Sequence, residues 1–300
     1  MIYLILAVVT SALIAIAMRL SEARVKSVFG MFLVNYLVCL ILSRLTAAVA
    51  GDASVSFEQG FREPGILLAT LLGTACGIIY LYNFFMLRLN IRRSGVVLPS
   101  TFMRLGVVIP ILMAMIFFHE TPSLPQIIGI ALAISAIFLI QDPAPKAQTD
   151  SGPKDLKRTA KKTGADLLLL LLLLLGGGMG DSMSNIFDKL GNAALKDHFL
   201  AFTFLAAFVL SVVVVLVRRE KIGRFEILFG LLLGIPNYFC SRFLLLSLGS
   251  VPAVIVYPVF SVATFVLITL FSLFVFREKL SPRKWAAMGV ILTALVLLNL

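Results

Sequence analysis

The chain has 300 residues, of which 60% are hydrophobic and only 14% charged. Water-facing domains carry about 25% charged residues, so a soluble globule is excluded as the main body. The net charge of +11 does not point to nucleic acid, because the basic residues sit in short stretches between apolar blocks and form no groove-lining patch. They read as orienting charges that face anionic lipid heads.

The apolar blocks run roughly 17 to 25 residues, the length that carries a helix across about 30 Å of hydrocarbon. In chain order they predict spans at 2–18, 28–48, 65–89, 94–118, 123–141, 166–190, 198–217, 225–248, 251–276 and 281–299. No basic residue precedes the first block, which begins Met1-Ile2-Tyr3-Leu4, so it is expected to be a retained helix and not a cleaved signal. Asn90–Arg93 separates the third and fourth spans, and Gly249-Ser250 the eighth and ninth. Ser281-Pro282 reads as an N-cap followed by proline at the first helical position.

The one long polar stretch, 142–165, contains three prolines and six Lys or Arg with no apolar run. It is expected to be a flexible linker. The division is therefore 1–141, a first unit of five helices; 142–165, a basic linker; and 166–300, a second unit of five. Leu167–Leu175 is nine leucines and indicates only greasy surroundings. Cys39, Cys76 and Cys240 lie inside apolar blocks without metal-ligand or CxxC spacing and read as small buried hydrophobes.

Of the 26 Lys and Arg, 20 fall in or beside the loops after spans one, three, five, seven and nine. The positive-inside rule puts those loops, 142–165 included, in the cytoplasm and both termini outside, in a multi-pass plasma (inner) membrane protein. The two units also resemble each other. Glu120-x-x-Ser123 matches Glu278-x-x-Ser281; Pro99 and Pro258 precede the two glutamates by 21 and 20 residues; Gly73-x-x-x-Gly77 matches Gly230-x-x-x-Gly234; and Met18-Arg19-Leu20 matches Asp188-Lys189-Leu190. Five helices per repeat is an odd number, so the second unit must be threaded inversely. Inverted repeats are a transporter architecture, with a midplane site exposed alternately.

With the E-x-x-S that closes spans four and nine, followed by a glycine-containing last span (Gly129, Gly289), the chain resembles the drug/metabolite transporter superfamily, in particular its EamA-type members. The resemblance is diffuse but covers nearly the whole chain. It implies a central cavity lined by spans one to four and six to nine, with spans five and ten peripheral. Many EamA-type relatives have cytoplasmic termini, the reverse of the orientation read here from charge.

Polar groups at membrane depth mark the candidate site. Arg104 is central in span four, where an arginine costs about 2.5–3.5 kcal/mol on insertion scales and needs a carboxylate, water or an anionic ligand. The alternative is a static ion pair that holds two helices together. Arg242 lies about 10 Å from the end of span eight, near enough to snorkel; Asn237, Tyr238 and Ser241 make its surroundings polar. In span six, Asp181, Ser184, Asn185 and Asp188 share one helical stripe. Asp181 is the candidate counter-ion for Arg104 or Arg242 and the candidate proton-coupling group. Asp188 and Lys189, at the helix end, read as water-facing. Pro99 and Pro258 are candidate hinges that interrupt spans four and nine, with Ser100, Thr101, Tyr257, Ser261 and Thr264 nearby; simple kinking for packing is the blander reading. Tyr80 and Asn83 share a face of span three, and Asn35 lies within span two; buried amides there need partners, so they are expected to point inward. The paired G-x-x-x-G sites read as close helix approaches. His119 and His198 read as interfacial. No motif for ATP use or hydrolysis occurs, and neither an enzyme activity, a cofactor nor a metal site is expected.

The expectation is an all-α integral membrane protein of ten spans in two inverted repeats, a secondary transporter working by alternating access. Its expected partners are a small solute, membrane lipid and a coupling proton. The two arginines tilt the expected solute toward a carboxylate or phosphate, such as amino acids or organic acids. Export of cationic or amphipathic drugs and flipping of a lipid-linked phosphate stand as alternatives, ahead of a membrane scaffold or enzyme.

Overall fold

A computed structural model describes residues 1–21, 24–49, 57–94, 102–103, 105–139, 156–275 and 282–298. Among the described residues every regular element is helical. The main helices are α1 (Ile2–Ser21), α2 (Val28–Val49), α3 (Ile66–Ser94), α4 (Val108–Phe117), α5 (Leu124–Leu139), α6 (Leu156–Leu190), α7 (Lys196–Arg218), α8 (Arg224–Leu248), α9 (Ala253–Val275) and α10 (Pro282–Leu298). Six are long and apolar enough to cross a membrane: α1, α2, α3, α6, α7 and α8. Shorter apolar stretches occupy Val108–Phe117, Leu124–Ser135 and Ala253–Ile268. The chain is thus an all-helical protein of membrane character.

The helices fall on the apolar blocks because a backbone in hydrocarbon must satisfy its own polar groups, and a helix does so within one segment. Three boundaries differ from expectation. The third helix runs on to Ser94, through the Asn90–Arg93 stretch expected to separate it from the fourth span. The sixth helix begins at Leu156 and not near 166, inside the stretch expected to be linker. Residues 156–163 read Leu-Lys-Arg-Thr-Ala-Lys-Lys-Thr; Leu, Lys, Arg and Ala are good helix formers, so polarity alone did not forbid a helix there. Residues 142–155 lie outside the described residues. The ninth helix runs through Pro258 as one element, so this proline does not interrupt its span as expected. The tenth helix begins at Pro282, the position the N-terminal proline preference favours.

Helices from the first five pack mainly on helices from the second five: α3 on α7 and α6, α8 on α2 and α1, α2 on α7, α1 on α9, α4 on α6 and α9, and α5 on α10. The glycine pairs make two close crossings. A Cβ on Gly73 would sit 2.6 Å from the Phe199 carbonyl oxygen, and one on Gly77 would strike that of Thr203, so α3 lies directly on the α7 backbone. A Cβ on Gly230 would meet Val34 at 2.5 Å and the Met31 carbonyl at 2.8 Å, and one on Gly234 would meet Val38 at 2.6 Å, so α8 lies on α2 in the same manner. Small residues permit this approach in the absence of a hydrophobic drive between helices in lipid. Stacking of Phe187 on Phe199, with ring centroids 4.6 Å apart, joins α6 to α7 within the largest apolar cluster.

Candidate functional site

A cavity of about 390 Å³ lies where the two sets of helices meet. From the first set, α1 contributes Ile14 and Met18, α2 contributes Asn35 and Tyr36, and α3 contributes Tyr80 and Asn83; Met103 joins them from the segment before α4. From the second set, α6 contributes Asp181, α8 contributes Asn237 and Ser241, and α9 contributes Phe260. No described residue of α5, α7 or α10 lines it. The absence of α7 departs from the expected lining by spans six to nine. Its reason is packing, since α7 is spent on the α2 and α3 backbones behind the cavity wall. The lining runs from the middle of the helices toward Met18 and Leu87, near the ends of α1 and α3 that carry basic residues.

Glycines build the Asp181 wall. The ring of Tyr80 lies against Gly180, where a Cβ would meet its Cε1 at 3.2 Å. A Cβ on Gly177 would stand 3.5 Å from Asn83 Nδ2, and one on Gly176 would stand 3.1 Å from Asn83 Oδ1. Gly177 is one turn before Asp181 on the same face of α6, so Asn83 and Tyr80 line the turn of α6 that leads to this carboxylate. The Gly176–Gly178 run therefore brings α6 close to its neighbours. Among the described residues the Asp181 carboxylate has no ion-pair partner. Asn237 Nδ2 donates to Asn35 Oδ1 at 3.2 Å, tying α8 to α2 in the cavity lining. Among the described residues, Asn35 Nδ2 and Asn83 Oδ1 are buried without a hydrogen-bond partner. Such groups are uncommon in folded proteins and are costly to leave unmade.

Four sequence candidates are thus brought together: Asp181, Tyr80, Asn83 and Asn237. Four are placed elsewhere. Arg242 is not a cavity group; its Nη1 donates to Asp197 Oδ1, to Thr46 Oγ1 at 2.8 Å and to Tyr238 OH at 2.7 Å. Its counter-ion is therefore Asp197 at the start of α7, not Asp181. Tyr238 is fully buried in that cluster, bonded also to Thr46. Tyr257 is fully buried and donates through its hydroxyl to the Asp181 backbone oxygen at 2.6 Å, which fixes α9 against α6 behind the site. Ser261 follows the cavity-lining Phe260 on α9 but is not itself in the lining. Arg104 and Pro99 lie outside the described residues.

A set of ties closes the end of the bundle away from the basic loops. Lys189 at the end of α6 pairs with Glu120 Oε1 at 2.9 Å, and Glu120 Oε2 accepts from the Val254 backbone N–H at 3.0 Å at the start of α9. Lys196 pairs with Asp188 at 3.2 Å. The Asp188 side chain is only 7% exposed, which corrects its reading as water-facing; Lys196 pairs with it and Gly249 lies against it. His198, at the start of α7, is likewise buried, its ring edge-on to Phe61 at 6.0 Å. At the other end Glu226 Oε1 accepts from the backbone N–H groups of Lys26 and Ser27 at 2.9 and 3.1 Å, joining α8 to the start of α2. Sequence reading missed Tyr36, Phe32 and Phe260 in the lining, since an aromatic residue in an apolar helix carries no distinguishing signal. Among the described residues no group of three His, Cys, Asp or Glu is placed to hold a metal ion.

No family model matches the chain. An uncharacterized protein of Haemophilus influenzae is 25% identical over 219 residues, which cover 72% of this chain and 70% of the relative. A crystal structure described only as that of a protein superposes with a TM-score of 0.76 over 99% of this chain and 94% of its own, at 13% identity. The helical arrangement is therefore one seen in a crystallised protein, and that likeness speaks to fold alone.

Proposed function

We propose that the chain is a secondary transporter of a small organic solute, of the drug/metabolite transporter type, in which ten helices form two inverted repeats around the cavity. The observation that carries this reading is the cavity itself: both sets of helices line it, and it holds a carboxylate without a described partner at membrane depth. An intramembrane carboxylate is expensive, and its usual justification is a substrate or proton pathway.

Symmetry of packing supports the repeat. If each helix of the first five is exchanged with its counterpart five places on, α3·α7 becomes α8·α2, α1·α8 becomes α6·α3, and α1·α9 becomes α6·α4, while α2·α7, α4·α9 and α5·α10 map onto themselves. The two glycine pairs occupy the exchanged crossings α3·α7 and α8·α2. Alternating access is then a rocking of one set against the other. The ties around Glu120 and Arg242 are the gate at one end, those around Glu226 at the other. On the positive-inside rule the basic loops face the cytoplasm of an inner membrane and both termini face out.

Solute flux in proteoliposomes with imposed pH gradients tests the proposal. Wild-type protein should move at least one class of small solute, and Asp181→Asn should insert normally but lose most of the flux. Asp181→Asn carrying wild-type flux of every solute tested would contradict the assignment of the site.

A further inference from the structure

Resting on the carrier reading, we propose that the cavity selects a small organic amine with N–H bonds on its cationic nitrogen and an aromatic or flat apolar body. The sequence alone tilts the solute toward an anion because two arginines lie at depth. The structure spends Arg242 on Asp197, Thr46 and Tyr238, outside the cavity. No basic side chain among the described residues lines the cavity, and Asp181 stands in its wall without a described partner. A carboxylate so placed attracts a cation in a surround of low dielectric.

The neighbours narrow the class further. Asn83 lies beside Gly176 and Gly177, about a turn of α6 before Asp181, and its Oδ1 is a buried acceptor without a described partner. The two oxygens of the Asp181 carboxylate call for a nitrogen that can donate hydrogen bonds, which a protonated primary or secondary amine does and a quaternary ammonium cannot. Asn35, contributed to the lining by α2, has a buried Nδ2 donor without a described partner, suited to a hydroxyl or carbonyl oxygen on the solute. Tyr36, Tyr80 and Phe260 bring aromatic rings to the lining, matched to an aromatic body. The size, about 390 Å³, lies in the range of small-molecule sites.

Matched probes test this on the purified full-length chain in detergent, by calorimetry: tyramine, its N,N,N-trimethyl derivative, and 3-(4-hydroxyphenyl)propionate. Tyramine should bind at least about tenfold more tightly than either of the others. Asp181→Asn should remove that preference, and Asp181→Glu should keep part of it, which separates loss of charge from loss of fold. Tighter binding of the propionate, equal binding of the trimethyl derivative, an unchanged preference in Asp181→Asn, or no binding of tyramine at millimolar concentration would overturn the inference. Flux in proteoliposomes separates it from the carrier reading. Tyramine binding without flux sinks the carrier and leaves the amine site standing. Flux confined to carboxylates sinks the amine site and leaves the carrier standing.

Discussion

Arg242 and Asp197 meet at the end of α8 and the start of α7, the arginine side chain 20% exposed and the aspartate 7%. Removing one partner of such a pair leaves a charge that water reaches poorly, whereas replacing both leaves none. Asp197→Asn should therefore cost about 3–5 kcal/mol, read as a lower melting temperature in detergent, while the double variant Arg242→Met with Asp197→Leu recovers most of the loss. Equal losses in the single and double variants would show that the pair holds nothing. Part of the site was legible at this scale. Asp181, Tyr80, Asn83 and Asn237 stand out because polar groups in a greasy helix must turn away from lipid, and all four do line the cavity. The partner of Arg242 was not legible. Asp197 lies 45 residues away on another helix, and which carboxylate an arginine reaches depends on helix register and crossing, which packing alone decides.

Helix crossings carry the next level. α3 meets α7, and α8 meets α2, with glycine against backbone, so any side chain there must push two helices apart. Gly77→Val should cost about 1–3 kcal/mol or more through overpacking, seen as a lower melting temperature and poorer recovery of monodisperse protein. Gly289 offers the contrast: it lies on α10, and a Cβ added there would meet nothing within 4 Å, so Gly289→Ala should be neutral or stabilising by up to about 1 kcal/mol through helix propensity alone. A Gly77→Val variant as stable as wild type would remove the close crossing. The pairing of the two G-x-x-x-G motifs was readable as packing from sequence, because only small residues allow such an approach. The start of α6 was not, since a basic stretch with prolines upstream resembles a linker by composition while its own residues favour a helix.

For the whole molecule, orientation and access decide how a carrier would work. Single cysteines at 145–160, in a chain freed of Cys39, Cys76 and Cys240, should react with an impermeant thiol reagent only from the cytoplasmic side; reaction only from outside would reverse the topology. The gate is the more searching matter. The cavity lies toward the basic-loop end, and the ties of Glu120 to Lys189 and to the start of α9 close the other. Ser241 lines the cavity from α8 and can report on both routes when replaced by cysteine. The deciding measurement is the labelling rate of Ser241→Cys from each face of oriented vesicles, with Glu120 intact and with Glu120→Gln. Labelling from the basic-loop face that shifts toward the opposite face when the tie is cut is the result expected of a site reached alternately. A cysteine that neither face can reach in either background, or one whose access ignores Glu120, would contradict it.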